Sequence, residues 1–297
     1  MTPEETLARR RIGDIVGGKW SLVDLLGTGG MGAVFVAEGP SNYVAAVKLL
    51  HPQLARDPEV RERLAREGYI ANTIEHPGVV RVFELSSRED AEAYLVMERL
   101  RGGSLKDLSL RPGGISLYAL LDYLDQTLDV LATAHDAKVI HRDLKPDNLF
   151  VTTEGRLKVL DFGIARIIDG VPREYRTRTG MTMGTMPYMP VEQALGRHTE
   201  IDGRTDLYAL GALVFRLLSG RPVFQARGEA ALLLAMTTQQ PPSLSSVAQD
   251  VPHDVCAIVD RALRPARVDR YPDARTMQGD IRAVREGRPP PFAGGLS

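Results

Sequence analysis

The strongest constraint on this chain is a stretch of charged residues set between apolar runs, at residues 139–163. It contains H-R-D-L-K-P-D-N at 141–148 and, thirteen residues after the asparagine, D-F-G at 161–163. Between these motifs, L-F-V and L-K-V-L flank the turn residues T-E-G, which predicts a β-hairpin. Such a hairpin holds the loops at its two ends side by side. The carboxylates of the two loops are therefore expected to act as one site.

The two motifs resemble the catalytic-loop and metal-loop signatures of protein kinases. Together with G-T-G-G-M-G-A-V-F near the start, they are similar to those of bacterial Hanks-type serine/threonine protein kinases, and the resemblance covers about residues 20–286. It implies an α+β, bilobal fold. The small lobe would hold a five-stranded antiparallel sheet and one helix, and the larger lobe would be mainly α-helical. It also implies transfer of the γ-phosphoryl group of ATP to serine and threonine hydroxyls of proteins, in signalling.

The residue types suit this chemistry, because phosphoryl transfer needs positioning and charge neutralisation rather than covalent help from the protein. Asp143 is expected to accept, or at least orient, the proton of the attacking hydroxyl. Lys145 follows two residues later and can reach the transferred phosphoryl group. A lysine there is typical, by resemblance, of serine/threonine kinases. Asn148 and Asp161 are expected to bind Mg²⁺ through oxygen, with Mn²⁺ as an alternative.

A glycine-rich motif precedes this stretch, with Gly27, Gly29 and Gly32 in the pattern G-x-G-x-x-G. By itself the pattern also fits a dinucleotide-binding site, which requires a helix after the glycines. Here residues 34–38, V-F-V-A-E, predict another strand instead. The glycines are therefore expected in a hairpin whose backbone amides approach the phosphates of ATP.

Lys48 ends a third apolar strand and matches the kinase lysine that binds the α- and β-phosphates. Its expected partner is an acid on the helix predicted from residue 57 to 74. Leu64, Glu67 and Ala71 fall on one stripe of that helix. Glu67 is the acid on this stripe, whereas Glu62 is expected to be exposed or to cap the helix. We therefore predict a Lys48–Glu67 ion pair.

The remaining nucleotide contacts come from the resemblance. Residues 98–103 match the hinge, where the Glu98 carbonyl and the Leu100 amide would contact adenine, and Met97 would guard the pocket behind it. The expected ATP-binding residues are Leu26, Gly27, Thr28, Gly29, Gly30, Met31, Gly32, Val34, Ala46, Lys48, Glu67, Met97, Glu98, Leu100 and Leu149.

The polar segment 164–189 resembles a kinase activation segment. Thr177, Thr179 and Thr182 are the expected phosphorylation sites, and the last two are favoured because they lie closer to the peptide-docking loop. A phosphate adds about −1.5 to −2 charges, and Arg142 is a cation expected to be buried and to need a partner. We expect activating autophosphorylation, with a homodimer acting in trans. A threonine-rich loop without a switch is the alternative.

Three further residues match structural positions of the family. Asp206, near the start of an apolar helix predicted at 203–220, matches the aspartate that braces the catalytic loop. Glu192 is expected to pair with Arg270. The chain departs from the family just before this glutamate, where Pro190-Val191 replaces Ala-Pro. The shifted prolines restrict the backbone before them, which leaves the shape of the docking loop open.

Composition is ordinary for a folded protein, with 297 residues, 43% apolar and 25% charged. The net charge of −1 gives no electrostatic case for binding nucleic acid or anionic membrane. Cys256 is the only cysteine, which excludes an internal disulfide. No run of 18 apolar residues is present, so no membrane span is expected in this chain. We expect a cytoplasmic protein with proteins as substrates.

The expected boundaries are a polar leader at 1–19, a kinase domain at 20–287 and a Pro/Gly-rich tail without fold at 288–297. Within the domain, the small lobe covers 20–98, the hinge 98–103 and the large lobe 104–287. Many Hanks-type kinases continue into a membrane helix and a sensor, so the chain is expected to be a soluble kinase or part of a longer protein.

Two other functions compete with an active protein kinase. One is a pseudokinase scaffold that binds nucleotide without turnover, although such proteins commonly lack one of the catalytic residues found here. The other is a kinase for a small molecule, against which Lys145 and the long polar segment argue. His135, on the helix that leads into the catalytic loop, is interpreted as an ordinary histidine near a helix C-terminus.

Overall fold

The computed structural model describes residues 2–87, 90–162 and 186–295, which divide into two compact units. The first unit contains the chain up to Glu75 and Val79–Arg101. The second contains His76–Gly78 and the described residues from Gly102 onward. The step from Arg101 to Gly102 falls within the hinge expected from the sequence. No helix in the described part of the chain is long and apolar enough to cross a membrane.

The first unit is built on an antiparallel sheet with the order β1-β2-β3-β4-β6-β5. Its strands are β1 (Ile15–Val16), β2 (Trp20–Gly29), β3 (Gly32–Glu38), β4 (Val44–Leu50), β5 (Val82–Leu85) and β6 (Tyr94–Glu98). The described sheet thus has one strand more than the five predicted. The extra strand, β1, has only two residues, too few to show the alternation from which strands are predicted.

The N-terminal segment folds onto this sheet and is not merely a polar leader. Helix α1 (Pro3–Arg9) begins after Thr2, whose side chain accepts the amide of Glu5 while the Glu5 side chain accepts the amide of Thr2. This reciprocal capping satisfies two backbone donors that the helix itself leaves free. Ala8 is buried in the same cluster as Trp20 of β2. The buried cluster therefore extends to both sides of residue 20, where the kinase domain is expected to begin.

Two helices follow β4, namely α2 (Pro52–Ala55) and α3 (Pro58–Thr73). Asp57 caps α3 through a hydrogen bond from the amide of Glu59, and Pro58 stands in the first turn. Val60 and Leu64 of α3 belong to a buried cluster with residues of the sheet. This packing confirms the inward stripe predicted for α3. Glu67, one turn after Leu64, lies on the same face of the helix.

The second unit is mainly helical. Its elements are β7 (Gly102–Ser104), α4 (Leu105–Ser109), α5 (Leu117–Asp136), β8 (Leu149–Thr152), β9 (Leu157–Val159), α6 (Val191–Ala194), α7 (Gly203–Ser219), α8 (Glu229–Thr238), α9 (His253–Ala262) and α10 (Ala274–Arg285). Strands β7, β8 and β9 form a small antiparallel sheet. The hairpin predicted between the two charged motifs is the β8–β9 pair.

Helix α7 is the centre of this unit, as its apolar sequence predicts. Every residue from Thr205 to Phe215 is buried. The helix ends at Gly220, whose φ of +72° is a left-handed conformation that closes helices at low cost when the residue is glycine. Because this stretch of α7 is buried, a polar side chain within it, such as that of Asp206, must find partners inside the protein.

The described part of the C-terminal tail, residues 288–295, makes specific contacts although its Pro/Gly-rich sequence predicts no fold. The amides of Phe292 and Ala293 each donate to the carboxylate of Asp280 at 2.8 Å, and the hydroxyl of Tyr271 donates to it at 2.6 Å. Asp280 is fully buried. The centroid of the Phe292 ring lies 4.6 Å from the Arg261 guanidinium carbon. Among the described residues, the tail therefore supplies two of the three donors to this buried carboxyl group. Its Pro/Gly-rich sequence gives no sign of these contacts.

Candidate active site

The loop at residues 141–148 gathers its polar side chains around Asp143. Lys145 donates through Nζ to Asp143 Oδ2 at 2.9 Å. Asn148 donates through Nδ2 to the Asp143 carbonyl at 2.8 Å and to Oδ2 at 3.2 Å. The side chains of Asp143 and Lys145 keep about a fifth of their surface exposed, at 20% and 23%. The Asp143 carboxylate is thus oriented by fixed partners and remains reachable by a substrate.

The β8–β9 hairpin connects this loop to Asp161. The Leu160 amide donates to the Asn148 carbonyl at 2.8 Å, and His141 Nε2 donates to the Leu160 carbonyl at 2.9 Å. The His141 ring also contacts the Phe162 ring in a tilted arrangement, with centroids 4.9 Å apart. Asp161 follows Leu160 and has a φ of +48°, a conformation that costs energy for a residue with a side chain. The two motifs therefore meet through specific hydrogen bonds.

Asp206 at the start of α7 holds the backbone of the catalytic loop. Its oxygens accept the amides of His141 and Arg142 at 2.9 and 2.8 Å, and the Nε2 of His135 at 2.8 Å. Burial alone would raise the pKa of this carboxyl, but the bond from His135 and the bonded amide of Arg142 hold the pKa below its ordinary value. The partnership of His135 was missed, because apolar periodicity does not reveal contacts between distant segments.

Arg142 stands in an unusual conformation directly before Asp143. Its φ is +65°, which is disfavoured for any residue other than glycine. Its guanidinium is half-buried, and burial lowers its pKa while Asp206 opposes that effect. Among the described residues, no carboxylate forms an ion pair with it.

The glycine-rich motif lies at the tip of the β2–β3 hairpin, where Gly27 faces Val34 and Gly29 faces Gly32. The three glycines differ in whether the surrounding protein leaves room for a side chain. A Cβ at Gly32 would lie 2.0 Å from the carbonyl oxygen of Leu49, so the sheet itself requires glycine there. At Gly27 and Gly29 no described atom lies within 4 Å of a Cβ. Neither has a positive φ, so these two glycines leave open room beside the backbone.

His51 ties this hairpin tip to the end of β4, a contact that sequence reasoning missed. Its ring Nε2 donates to the Gly29 carbonyl at 3.1 Å, and its backbone amide donates to the Met31 carbonyl at 3.0 Å. His51 lies at the capping position of a four-residue helix. Such a short helix has no periodic pattern from which the direction of the His51 side chain could be predicted.

Lys48 and Glu67 form an ion pair. Lys48 Nζ lies 2.6 Å from Glu67 Oε1, and the two side chains are only 13% and 16% exposed. Lys48 faces Val34 in β3 and Leu95 in β6, whereas Glu67 projects from α3. The rejected candidate Glu62 instead pairs with Arg66 on the exposed side of the same helix, at 3.0 Å.

The other expected nucleotide contacts fall at defined places. Ala46 of β4 pairs with Met97 of β6, next to Glu98 at the end of that strand. Leu26 is 48% exposed, whereas Leu149 is fully buried in β8. Their contacts with adenine, and that of Leu100, stay predictions.

The predicted pair of Glu192 and Arg270 is formed in α6 despite the altered residues before it. Arg270 donates to both carboxylate oxygens of Glu192, at 2.7 and 3.1 Å. Pro190 caps α6, and the residue after Glu192, Gln193, donates to the carbonyl of Arg142 at 2.7 Å. The replacement of Ala-Pro by Pro-Val thus leaves the ion pair in place.

Some predictions fall outside the described residues, namely Gly163 and the candidate phosphorylation sites Thr177, Thr179 and Thr182. Asp147, the other acid of the catalytic loop, pairs with Lys106 at 2.8 Å and is exposed. It is therefore engaged away from the cluster around Asp143.

The donor set suits a hard divalent ion that keeps water and phosphate ligands. The Asn148 amide nitrogen donates to Asp143, which leaves its oxygen as the ligand atom. With Asp161 this gives two protein oxygens, the number that Mg²⁺ commonly takes beside substrate phosphates. Among the described residues no cluster of three or more His, Cys, Asp or Glu could hold a metal by itself.

The fold and these motifs define a protein kinase, and comparison with known proteins agrees. The chain matches the protein kinase domain model over residues 20–277 and belongs to that family. Members of the family use ATP and a divalent metal ion. PknA of Mycobacterium tuberculosis, a serine/threonine-protein kinase, is 35% identical over 286 residues, covering 95% of this chain and 64% of PknA. Pkn1 of Myxococcus xanthus, also a serine/threonine-protein kinase, is 40% identical, covering 86% of this chain and 36% of Pkn1.

The chain thus spans between about one third and two thirds of the length of these relatives. Among solved structures, the M. tuberculosis PknI kinase domain matches with a TM-score of 0.68 at 24% identity, covering 91% of this chain and 98% of that domain. This likeness establishes the protein-kinase fold.

Proposed function

We propose that the protein is a serine/threonine protein kinase that transfers the γ-phosphoryl group of ATP to hydroxyls of proteins. The observation that carries the proposal is the convergence of Lys145 and Asn148 on the carboxylate of Asp143. An acid held in this way can orient a hydroxyl and take its proton. The relatives named as serine/threonine-protein kinases support the same class of substrate.

In this mechanism each residue has one task. Asp143 positions the attacking hydroxyl and accepts its proton. Lys145, already bonded to Asp143, offers a positive charge to the phosphoryl group in transfer. The Lys48–Glu67 pair keeps the lysine ammonium oriented for the phosphates of ATP, while the open space beside Gly27 and Gly29 lets phosphates approach the backbone.

Asn148 and Asp161 would hold the metal ion through their side-chain oxygens. We propose Mg²⁺ as the physiological ion, since it binds through one or two protein ligands plus phosphate oxygens. When bound, the ion neutralises phosphate charge and aligns the phosphoryl group. The protein contributes the fixed spacing of the two ligands, which the β8–β9 hairpin sets.

We also propose that phosphorylation of the segment 164–189 activates the kinase, with one copy of the chain modifying another in the cytoplasm. The half-buried guanidinium of Arg142 supports this. It lies next to Asp143 and has no ion-pair partner among the described residues. A phosphothreonine would supply the missing anion and order the segment near the catalytic loop.

The experiment is label transfer from radioactive ATP to a generic basic protein and to the chain itself, with Mg²⁺ or Mn²⁺. Asp143→Asn should lower turnover at least about a hundredfold, because a positioned base contributes about 10²–10⁴-fold. Asp147→Asn is the matched control, since this exposed carboxylate pairs with Lys106. It should retain activity.

Three outcomes contradict the proposal. Nucleotide binding without label transfer would make the protein a pseudokinase. ATP consumption with a small alcohol, without labelled protein, would make it a small-molecule kinase. Turnover that survives Asp143→Asn would remove Asp143 from its assigned role.

A further inference from the structure

Gln193 lies one residue after the buried Glu192 and makes a contact that neither the sequence motifs nor the proposed phosphotransfer residues account for. Its side-chain Nε2 donates to the carbonyl of Arg142 at 2.7 Å. Arg142 precedes Asp143, so this carbonyl belongs to the peptide unit that carries the Asp143 amide. The contact therefore connects α6 to the backbone of the proposed catalytic aspartate.

This peptide unit is held at both ends. Gln193 binds its carbonyl, while its N–H, the amide of Asp143, donates to Nδ1 of the His141 ring at 3.2 Å. A peptide unit is planar, so fixing both ends fixes its rotation and hence the φ of Asp143. The direction of the Asp143 side chain depends on that angle.

The peptide needs such support, because the residue before it is strained. Arg142 has a φ of +65°, a conformation that persists only where the surroundings impose it. Asp206 accepts the Arg142 amide on one side, and Gln193 binds its carbonyl on the other. Losing either bond would let the peptide relax toward an ordinary conformation.

Gln193 is itself in a fixed place. It follows Glu192, whose carboxylate binds Arg270 through two hydrogen bonds in the interior. The adjoining turn Met186–Tyr188 leads into α6 through Pro190. A shift in the position of this turn would therefore move the Gln193 side chain and, through its hydrogen bond, the Arg142 carbonyl.

We propose that Gln193 is a positioning residue for Asp143 that couples the conformation of α6 and the preceding docking loop to the catalytic carboxylate. The inference rests on the proposed kinase function. It adds a residue that acts on turnover through Asp143 and that contacts neither nucleotide nor metal.

The test is Gln193→Met, which keeps the length of the side chain and removes its donor. We expect kcat for peptide phosphorylation to fall about tenfold, equivalent to about 1.4 kcal/mol, with KM for ATP unchanged. Gln239→Met, at an exposed position after α8, is the matched control and should leave kcat unchanged. The same substitution is then made in the Asp143→Asn protein, whose residual turnover is measured by radioactive transfer.

If Gln193 acts through Asp143, Gln193→Met should not lower that residual turnover further. An equal loss in both backgrounds would show general damage to the fold and overturn the inference. So would a kcat that changes by less than about twofold, which is smaller than the loss of one hydrogen bond predicts. A wild-type protein that transfers no phosphate at all would instead refute the proposed function, so the two failures are distinguishable.

Discussion

Arg270 and Glu192 form an ion pair in the interior, with side chains that are 0% and 2% exposed. Glu192 directly follows Pro190-Val191, where the sequence is expected to depart from the family pattern, yet both terminal guanidinium nitrogens of Arg270 reach its carboxylate. Arg270 also donates to the carbonyls of Arg264 and Pro265, and its guanidinium carbon lies 4.7 Å from the Tyr208 ring centroid. The pair therefore ties α6 to the loop before α10.

Removing one member of this pair should destabilise the protein strongly. Arg270→Met leaves Glu192 buried without its partner, which costs about 3–5 kcal/mol of unfolding free energy. Urea unfolding followed by circular dichroism measures the change. Arg275→Met is the control, because its pair with Asp136 is 61% exposed on both sides and should contribute little. Equal stability of the two variants would contradict a structural role for the buried pair.

Breaking the Lys48–Glu67 pair should impair ATP use. Lys48→Met should raise KM for ATP and lower kcat, reducing kcat/KM at least about tenfold, because a charged hydrogen bond is worth about 1.5–3 kcal/mol. Glu67→Gln should act in the same direction with a smaller effect. Steady-state kinetics at varied ATP measure both.

Glu62→Gln is the matched control on the same helix, since its pair with Arg66 is exposed. It should behave like the wild type. Normal kinetics in Glu67→Gln together with impaired kinetics in Glu62→Gln would show that Glu62, not Glu67, has the functional role.

The lowered pKa of Asp206 predicts how the free energy of unfolding depends on pH in the acid range. Its folded-state pKa is lowered below the unfolded value of about 3.9, so its contribution is complete above about pH 4 and is lost as pH falls through the folded pKa. Asp206→Asn should cost about 1–3 kcal/mol near neutral pH, since two backbone amides and His135 lose a charged acceptor.

Unfolding free energies of both proteins, measured from pH 7 down to about 2, provide the test. The difference between wild type and Asp206→Asn should shrink on acidification below about pH 4. A constant difference over the whole range would show that the carboxylate charge of Asp206 does not contribute to stability.

Activation by phosphorylation makes a separate prediction. Mass spectrometry should find phosphate on Thr179 or Thr182 in the wild-type protein and none in the Asp143→Asn protein expressed in the same way. The Thr179→Ala/Thr182→Ala double variant should have reduced activity, because Arg142 then lacks its anionic partner. The rate of autophosphorylation should rise with protein concentration if one copy modifies another. An unphosphorylated, fully active protein would leave constitutive activity as the explanation.

The docked tail should be needed for stability. A chain ending at Gly287 loses the amides of Phe292 and Ala293, so that of the three donors to Asp280 in the described part of the chain the Tyr271 hydroxyl remains. An unsatisfied buried acceptor costs about 1–3 kcal/mol, so the thermal midpoint should fall by several degrees. A chain ending at Gly295 is the control and should melt like the full chain. Identical midpoints would show that the tail contacts contribute nothing.

The sequence predicts best what depends on local pattern. The β8–β9 hairpin follows from two short apolar runs around a turn, and the position of Glu67 on the inward face of α3 follows from helical spacing. Partners that come from distant segments leave no such pattern. His135 meets Asp206 across 71 positions of the chain, and neither residue signals the other. Likewise, the donors to Asp280 in the tail are backbone amides. Almost every residue has such an amide, so the sequence does not show which ones bind Asp280.

The glycines of the β2–β3 hairpin are constrained in two different ways. Gly32 is required by the fold, since a methyl group there would meet the Leu49 carbonyl whether or not nucleotide ever binds. Gly27 and Gly29 are under no such demand from the described residues. The proposed approach of phosphates to the backbone would explain their small size. In a descendant that stopped using nucleotide, selection would release the first two positions and keep the third. The motif would therefore combine a requirement of the sheet at Gly32 with a proposed requirement of the ligand at Gly27 and Gly29.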